Sequence, residues 1–346
     1  MATVTKETKK KIRVDYEGKL TFKEKLKSKL RASNTWIRAF INVFRFILML
    51  GVSYVILYPF FSRIAGSFMS REDVVDSTVS LIPKNFTLDI YKYIILDNHY
   101  LDALWNTFLV ALMCALVQTL IACLVGYGLA KFKFKGNTFV MALVIISMVI
   151  PHNALTIAMG QHLINFDLFT VKTWGMKGLF EVLFGSPIDL INTPVPLLLL
   201  SLSGLAFKNG LYIYLMRQFF KGVPDELEES AYVDGSGVFR TFFQIILPLS
   251  IPMMITVFLF SFSWQWTDEF YSGMFWAGNS EFYMMSDIYS LIPESFDLYK
   301  NSAGWSLYEV VIKNTSSMLI IAPIIILYLF CQKYLVQGIE RSGLVG

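Results

Sequence analysis

The chain has 346 residues, 55% of them hydrophobic, 16% aromatic and only 16% charged, with a net charge of +4. A charged fraction so far below the soluble average of ~25% excludes a disordered chain and a nucleic-acid-binding chain. This much apolar surface cannot be hidden in one soluble domain. What remains is an all-α polytopic membrane protein. A hydrocarbon core takes roughly 20 apolar residues per helix, which leaves room for six spans, loops and a tail.

Residues 1–38 form a basic tail. Phe22, Leu26 and Leu30 recur there at helical spacing among lysines. This fits either a short helix lying on anionic lipid or a disordered tail that sets topology. A transmembrane domain over 39–346 follows, with apolar runs at 40–61, 103–130, 138–160, about 193–216, 242–266 and about 314–336. None alternates like a strand, and each is long enough to cross as a helix. The first starts too late, and lacks the cleavage site, for a signal peptide. Arg45 lies near enough to its end to snorkel. Pro151, Pro248, Pro252 and Pro323 fall inside runs or at their ends, which membrane helices tolerate when neighbours satisfy the freed carbonyls.

Six spans put both termini on one side. That side holds 21 of the 30 Lys and Arg residues against 8 on the other, with Lys208 left inside the fourth run. The positive-inside rule makes the termini cytoplasmic. Residues 62–102, 161–192 and 267–317 become outer loops, and 217–248 a cytoplasmic loop.

The sequence offers no catalytic set. Cys114, Cys123 and Cys331 lie in apolar runs and read as small packing residues. His99, His152 and His162 form no metal-ligand spacing. No P-loop, GxSxG or GxGxxG occurs, so energy for work must come from another subunit or from an ion gradient. An ion-coupled carrier would need intramembrane carboxylates, and none lies centrally in any run. A membrane enzyme would need a convergent nucleophile, base or metal set, and that too is missing.

The most informative stretch is 217–252, RQFFKGVPDELEESAYVDGSGVFRTFFQIILPLSIP. Pro224 can open a helix, and Asp225, Glu226, Glu228 and Glu229 suit its positive end. Asp234-Gly235 breaks it, since Gly235 can take a left-handed backbone. A second piece, from Val238-Phe239 through Phe242-Phe243, leads into the fifth run at Leu247-Pro248. The result is a short helix–turn–helix with an acidic, partly apolar surface, suited to docking a soluble partner.

The order Glu229-Ser230-Ala231, three residues, Gly235, nine residues, Ile245, Ile246 and Leu247-Pro248 resembles the "EAA" signature of permease subunits of ABC importers. The spacing fits throughout, with Ser230 where that pattern has its first Ala. Asn106-Thr107, the turn YGLAKFKFKG (127–136), Trp266-Thr267-Asp268-Glu269-Phe270 and the ends Gln332–Gly338 and Ser342–Gly346 are similar to the shorter maltose-type permease of the carbohydrate-uptake branch. The closing segment is shortened, and the basic tail lies outside the likeness.

The resemblance implies six transmembrane helices in a bacterial cytoplasmic membrane, with a coupling helix between the fourth and fifth. It implies a second, different permease subunit, an extracytoplasmic binding protein delivering sugar, and two cytoplasmic ATPase subunits that hold ATP and Mg, so this chain is not itself an enzyme. The ATPase would grip Glu226, Glu229, Ser230 and Ala231, the bend at Asp234 and Gly235, and Leu247 and Pro248 beyond it. An ABC permease for a non-sugar solute is the main rival.

Candidate pathway residues lie elsewhere. Phe207-Lys208-Asn209-Gly210 either faces the subunit interface or pathway, or Lys208 snorkels to inner headgroups. Trp264, Trp266, Asp268, Glu269 and Tyr271 cluster at the outer end of the fifth run. They suit sugar stacking and hydroxyl hydrogen bonds, or an aromatic belt at the headgroup level, the commoner place for Trp and Tyr. Asn106 and Gln118 read as helix–helix glue or as ligand groups.

Overall fold

A computed structural model describes residues 33–167, 177–276 and 282–341. The helix or tail expected around Phe22–Leu30 lies outside these residues, as does the Ser342–Gly346 end. The chain divides at Ser62 into two units. Most of α1 (Ser33–Gly66) belongs to the first. Its apolar stretch Phe40–Gly66 has 27 residues, or roughly 40 Å at 1.5 Å per residue, enough to cross a bilayer.

The second unit is built around α2 (Tyr100–Lys131), 32 residues whose buried side includes Ala111, Ala115, Ala122 and Gly126. Small residues let neighbouring helices approach closely. A Cβ on Gly126 would stand 2.7 Å from Met216 Cβ on α6 (Asn209–Lys221). Gln118 ties three helices together. Its amide donates to Ser201 Oγ on α5 (Val195–Leu202) at 3.1 Å, and its carbonyl accepts from Ser261 Oγ on α8 (Val238–Trp266) at 2.8 Å. Asn106 donates to the Tyr283 carbonyl at 3.0 Å. Gln118 is therefore interhelical glue in this structure, whereas Asn106 ties α2 to the non-helical segment at Tyr283. Cys114 and Cys123 are buried and free, as packing residues should be.

Among the described residues no strand forms beyond two isolated bridges. Four helices are long and apolar enough to cross a membrane: α1, α2, α8 and α10 (Trp305–Arg341). A fifth span arises if a bent pair is counted as one. Six uninterrupted spans were expected, and two runs depart from that.

The third run is not straight. α3 (Asn137–Val149) and α4 (His152–Ile164) meet at 92°. Pro151 lacks an N–H and pushes the residue before it into extended backbone. Ile150 is extended accordingly, at φ −63° and ψ 119°.

The fourth run is two helices, α5 and α6, parted by residues 203–208. α5 closes on Gly204 at φ 75°. The Gly204 N–H donates to Ser201 O and the Leu205 N–H to Leu200 O, the paired bonds of a Schellman turn. Lys208, expected inside a continuous helix, stands instead at the head of α6 with a left-handed backbone, φ 64°. Ser203-Gly204 and Asn209-Gly210 were the available turn signals. They were overridden by the hydropathy of the run.

α8 starts at Val238, passes through a π turn over Phe242–Ile246 and continues to Trp266. The wide turn falls just before Pro248, whose ring would otherwise crowd the carbonyl four residues back.

Candidate functional site

Two features gather the predicted residues. The first is α7 (Glu226–Val233), the short helix between α6 and α8. It is held from below by the end of α2. Lys131 Nζ donates to Val223 O at 2.6 Å and to Asp225 Oδ1 at 2.5 Å. The Lys131 side chain is only 6% exposed, against 77% for Asp225. This ammonium holds the Asp225 carboxyl below its usual range, chiefly through their hydrogen bond. One turn further, buried Glu228 accepts a hydrogen bond from Tyr127 OH at 2.8 Å. The Tyr127 ring is braced by Phe132, Phe220 and Phe242.

Glu228 and Ala231 thus form the inner side of α7, while Glu226, Glu229, Ser230, Tyr232 and Val233 are exposed. The helix ends as its glycine foretold. Gly235 has φ 81°, its N–H donates to Tyr232 O at 3.0 Å, and the Ser236 N–H donates to Ala231 O at 2.9 Å. This is again a Schellman turn. Beyond it Phe239 is 81% exposed, close in sequence to Val233 at 88%. Asp234 and Gly235 are exposed at the bend, whereas Leu247 is half-buried and Pro248 lies next to it on α8. These two stand about 13 Å along the axis from the start of α8. They are nearer its π turn than the exposed bend.

Tyr127, Lys131 and Glu228 were not singled out as functional from the sequence. Tyr127 and Lys131 lie in the aromatic-basic turn and Glu228 among the first-turn carboxylates, but nothing in the linear pattern pairs positions 101 residues apart.

The second feature is a cavity of about 460 Å³ formed where helices break. The α3–α4 corner lines it with Pro151, His152 and Asn153, and the α5–α6 break with Phe207 and Lys208; Asp268 and Phe270 complete the wall. Lys208 Nζ lies 4.9 Å from the ring centroids of both Phe207 and Trp264. His152 Nδ1 shares a 2.7 Å hydrogen bond with Tyr271 OH. The Asp268 carboxylate accepts the backbone N–H groups of Tyr271 and Ser272, each at 3.1 Å, at the head of α9 (Phe270–Phe275). Burial pushes its carboxyl up to about 6, and Glu269 adds to the shift.

Of the predicted residues, Lys208 and Asp268 line this cavity, while Trp264 and Tyr271 stand behind its wall in contact with Lys208 and His152. Three other predicted pathway residues do not present their side chains to this cavity. Asn209 lines it, but its side chain is fully buried and aimed at Ser201 O at 3.5 Å. The Trp266 indole N–H donates to Ile320 O on α10 at 2.9 Å, with the ring 2% exposed. Glu269 lines a separate hollow of about 270 Å³ with Thr267, Ser286 and Ser317. At a helix end, successive side chains fan out in different directions, so adjacency in sequence did not mean a shared site. Phe207 and Gly210, named with Lys208 and Asn209, line the cavity, whereas His152 was missed as a cavity residue; its signal was its place after Pro151. Among the described residues no group of His, Cys, Asp and Glu could hold a metal.

Residues 118–341 match the model of the family described as "Binding-protein-dependent transport system inner membrane component". The chain is similar to the arabinooligosaccharides transport system permease protein AraQ of Halalkalibacterium halodurans. The two are 24% identical, over 85% of this chain and 93% of the relative. It is also similar to the galactooligosaccharides transport system permease protein GanQ of Bacillus subtilis, 27% identical over 90% and 98%. Its fold is that of a chain in the crystal structure of a bacterial ABC transporter involved in the import of the acidic polysaccharide alginate. The TM-score is 0.66 at 19% identity, covering 88% of this chain and 98% of the other.

Proposed function

Since the chain belongs to the family of binding-protein-dependent transport system inner membrane components, we propose that it is one of two permease subunits of a bacterial ATP-driven importer. The solute is a sugar or oligosaccharide handed over by an extracytoplasmic binding protein, as the names of its relatives suggest. Family membership and the long apolar helices make the chain a multi-pass membrane protein. In this reading both termini are cytoplasmic, the second permease is a different chain, and ATP with Mg is held by two separate ATPase subunits.

The observation that carries the reading is α7, a short helix with an acidic and apolar outer side, bolted to α2. An ATPase subunit grips Glu226, Glu229, Ser230 and the Asp234-Gly235 bend. Displacement of α7 passes through Lys131 and the Tyr127–Glu228 bond into α2. That helix is in turn tied through Gln118 to α5 and α8; the break after α5 and Asp268, two residues beyond α8, contribute to the cavity wall. Lys208, Trp264, Asp268 and Tyr271 face or frame the solute path.

The test uses the chain purified with its native partners and reconstituted in liposomes. Glu229→Lys and Gly235→Val lower both uptake and the ATP hydrolysis stimulated by the binding protein, with membrane insertion intact. Wild-type uptake in both variants, or ATP-independent uptake by this chain alone, overturns the reading.

A further inference from the structure

The cavity holds a cation whose placement is unfavourable on three counts. Lys208 is half-buried at the helix break, and no carboxylate among the described residues comes within ion-pair distance of it. Its neighbours are aromatic faces, those of Phe207 and Trp264, each 4.9 Å away. Ring faces attract an ammonium but replace its hydration only in part. The residue is also held at φ 64°, a region that side chains with a Cβ enter at a cost. Finally, it sits at the head of the 13-residue α6, where the helix dipole is already positive and favours anions over cations.

The one carboxylate on the wall does not answer this charge. Asp268 directs its oxygens at the amides of Tyr271 and Ser272. His152 is engaged with Tyr271 OH. The open volume of about 460 Å³ falls within the roughly 300–1,000 Å³ usual for small-ligand sites. Phe207, on the cavity wall, offers ring surface for the C–H face of a sugar.

We propose that the solute drawn through this permease is an anionic sugar bearing a carboxylate, as a uronic-acid unit does, and that Lys208 Nζ receives that carboxylate. The proposal rests on the reading of the chain as a sugar permease. The lysine supplies the charge, the Phe207 ring orients the sugar face, and His152, its Nδ1 held by Tyr271 OH, offers its remaining nitrogen to hydroxyls. A neutral sugar of the same shape would leave the ammonium without a counter-charge and would gain little from it.

The test compares trigalacturonate with its fully methyl-esterified form, the same skeleton without charge. Both, together with neutral galactotriose, are offered to the reconstituted assembly of wild type, Lys208→Met and Lys208→Arg. The binding protein is identical throughout, so differences among variants report on the permease. Lys208→Met should lower trigalacturonate uptake at least tenfold and change any methyl-ester uptake less than twofold. Lys208→Arg should keep most of the anionic uptake, and all three assemblies should elute alike. Trigalacturonate uptake unchanged in Lys208→Met overturns the proposal. So does an equal loss for both probes, which would make Lys208 structural or lipid-facing. ATP-driven uptake of galactotriose with none of trigalacturonate overturns the charge assignment and leaves the sugar-permease reading standing. No ATP-driven uptake of any of these sugars overturns both.

Discussion

Gly235 allows a backbone argument to be separated from a steric one. Its φ of 81° lies in the left-handed region, and a Cβ built there meets nothing within 4 Å. Any penalty for substitution is therefore conformational. Ala in this region costs roughly 1–2 kcal/mol, whereas Asn enters it more readily because its short side chain bonds locally. At 1.4 kcal/mol per tenfold, that is roughly a 5- to 30-fold loss in the population of the capped turn for Gly235→Ala, and a smaller loss for Gly235→Asn. The turn consists of the amides of Gly235 and Ser236, bonded to Tyr232 and Ala231. Hydrogen exchange at residues 235 and 236 reads its opening directly, and ATP hydrolysis stimulated by the binding protein reads its consequence. The expected order of harm is Gly, then Asn, then Ala, then Val. Asn is larger than Ala, so a purely steric constraint reverses the middle pair. Ala found milder than Asn in both assays refutes the reasoning.

Three further outcomes are expected. Tyr127→Phe removes the hydroxyl that donates to buried Glu228 and costs about 1–3 kcal/mol by stranding a carboxylate. Adding Glu228→Leu should recover part of the coupling between ATP hydrolysis and uptake, a non-additivity that a double-mutant cycle would measure. Gly126→Ala drives a Cβ to 2.7 Å from Met216 Cβ and 3.0 Å from Arg217 N, whereas Gly128→Ala two residues on meets nothing within 4 Å. The first should lower the melting temperature of the purified protein, by about 1–3 kcal/mol of overpacking, and the second should leave it unchanged or raised. Asp268 has its carboxyl raised from 3.8 to about 6 by burial, so its ionisation opposes folding. Stability due to this group is fullest below 3.8 and is lost as pH rises to 6, a change on the order of 2–3 kcal/mol. Asp268→Asn should flatten that part of the melting-temperature profile between pH 4 and pH 7, and an unaltered profile would count against it.

Much of this protein is legible in its sequence because the relevant physics is local. Hydropathy is a property of each residue, so the apolar runs and the class of protein follow from counting. The Schellman turn at Gly235 was foreseeable, because only a few neighbouring residues decide whether a helix closes on a left-handed glycine. The same local rule operates at Gly204 and Pro151, but hydropathy hid it there. An apolar run shows that a segment belongs in the membrane, not that its helix is unbroken.

What the tertiary structure alone decided are the meetings between distant residues. Tyr127 and Lys131 clasp α7 across about a hundred positions of chain, while Trp266 turns to α10 and its neighbour Trp264 to Lys208. Membrane helices break only where packing or local bonds satisfy the freed backbone groups, and a side chain's partner depends on which helix happens to lie against it. Neither is encoded at any single position, since both arise when separate stretches of chain compete to bury the same polar atoms.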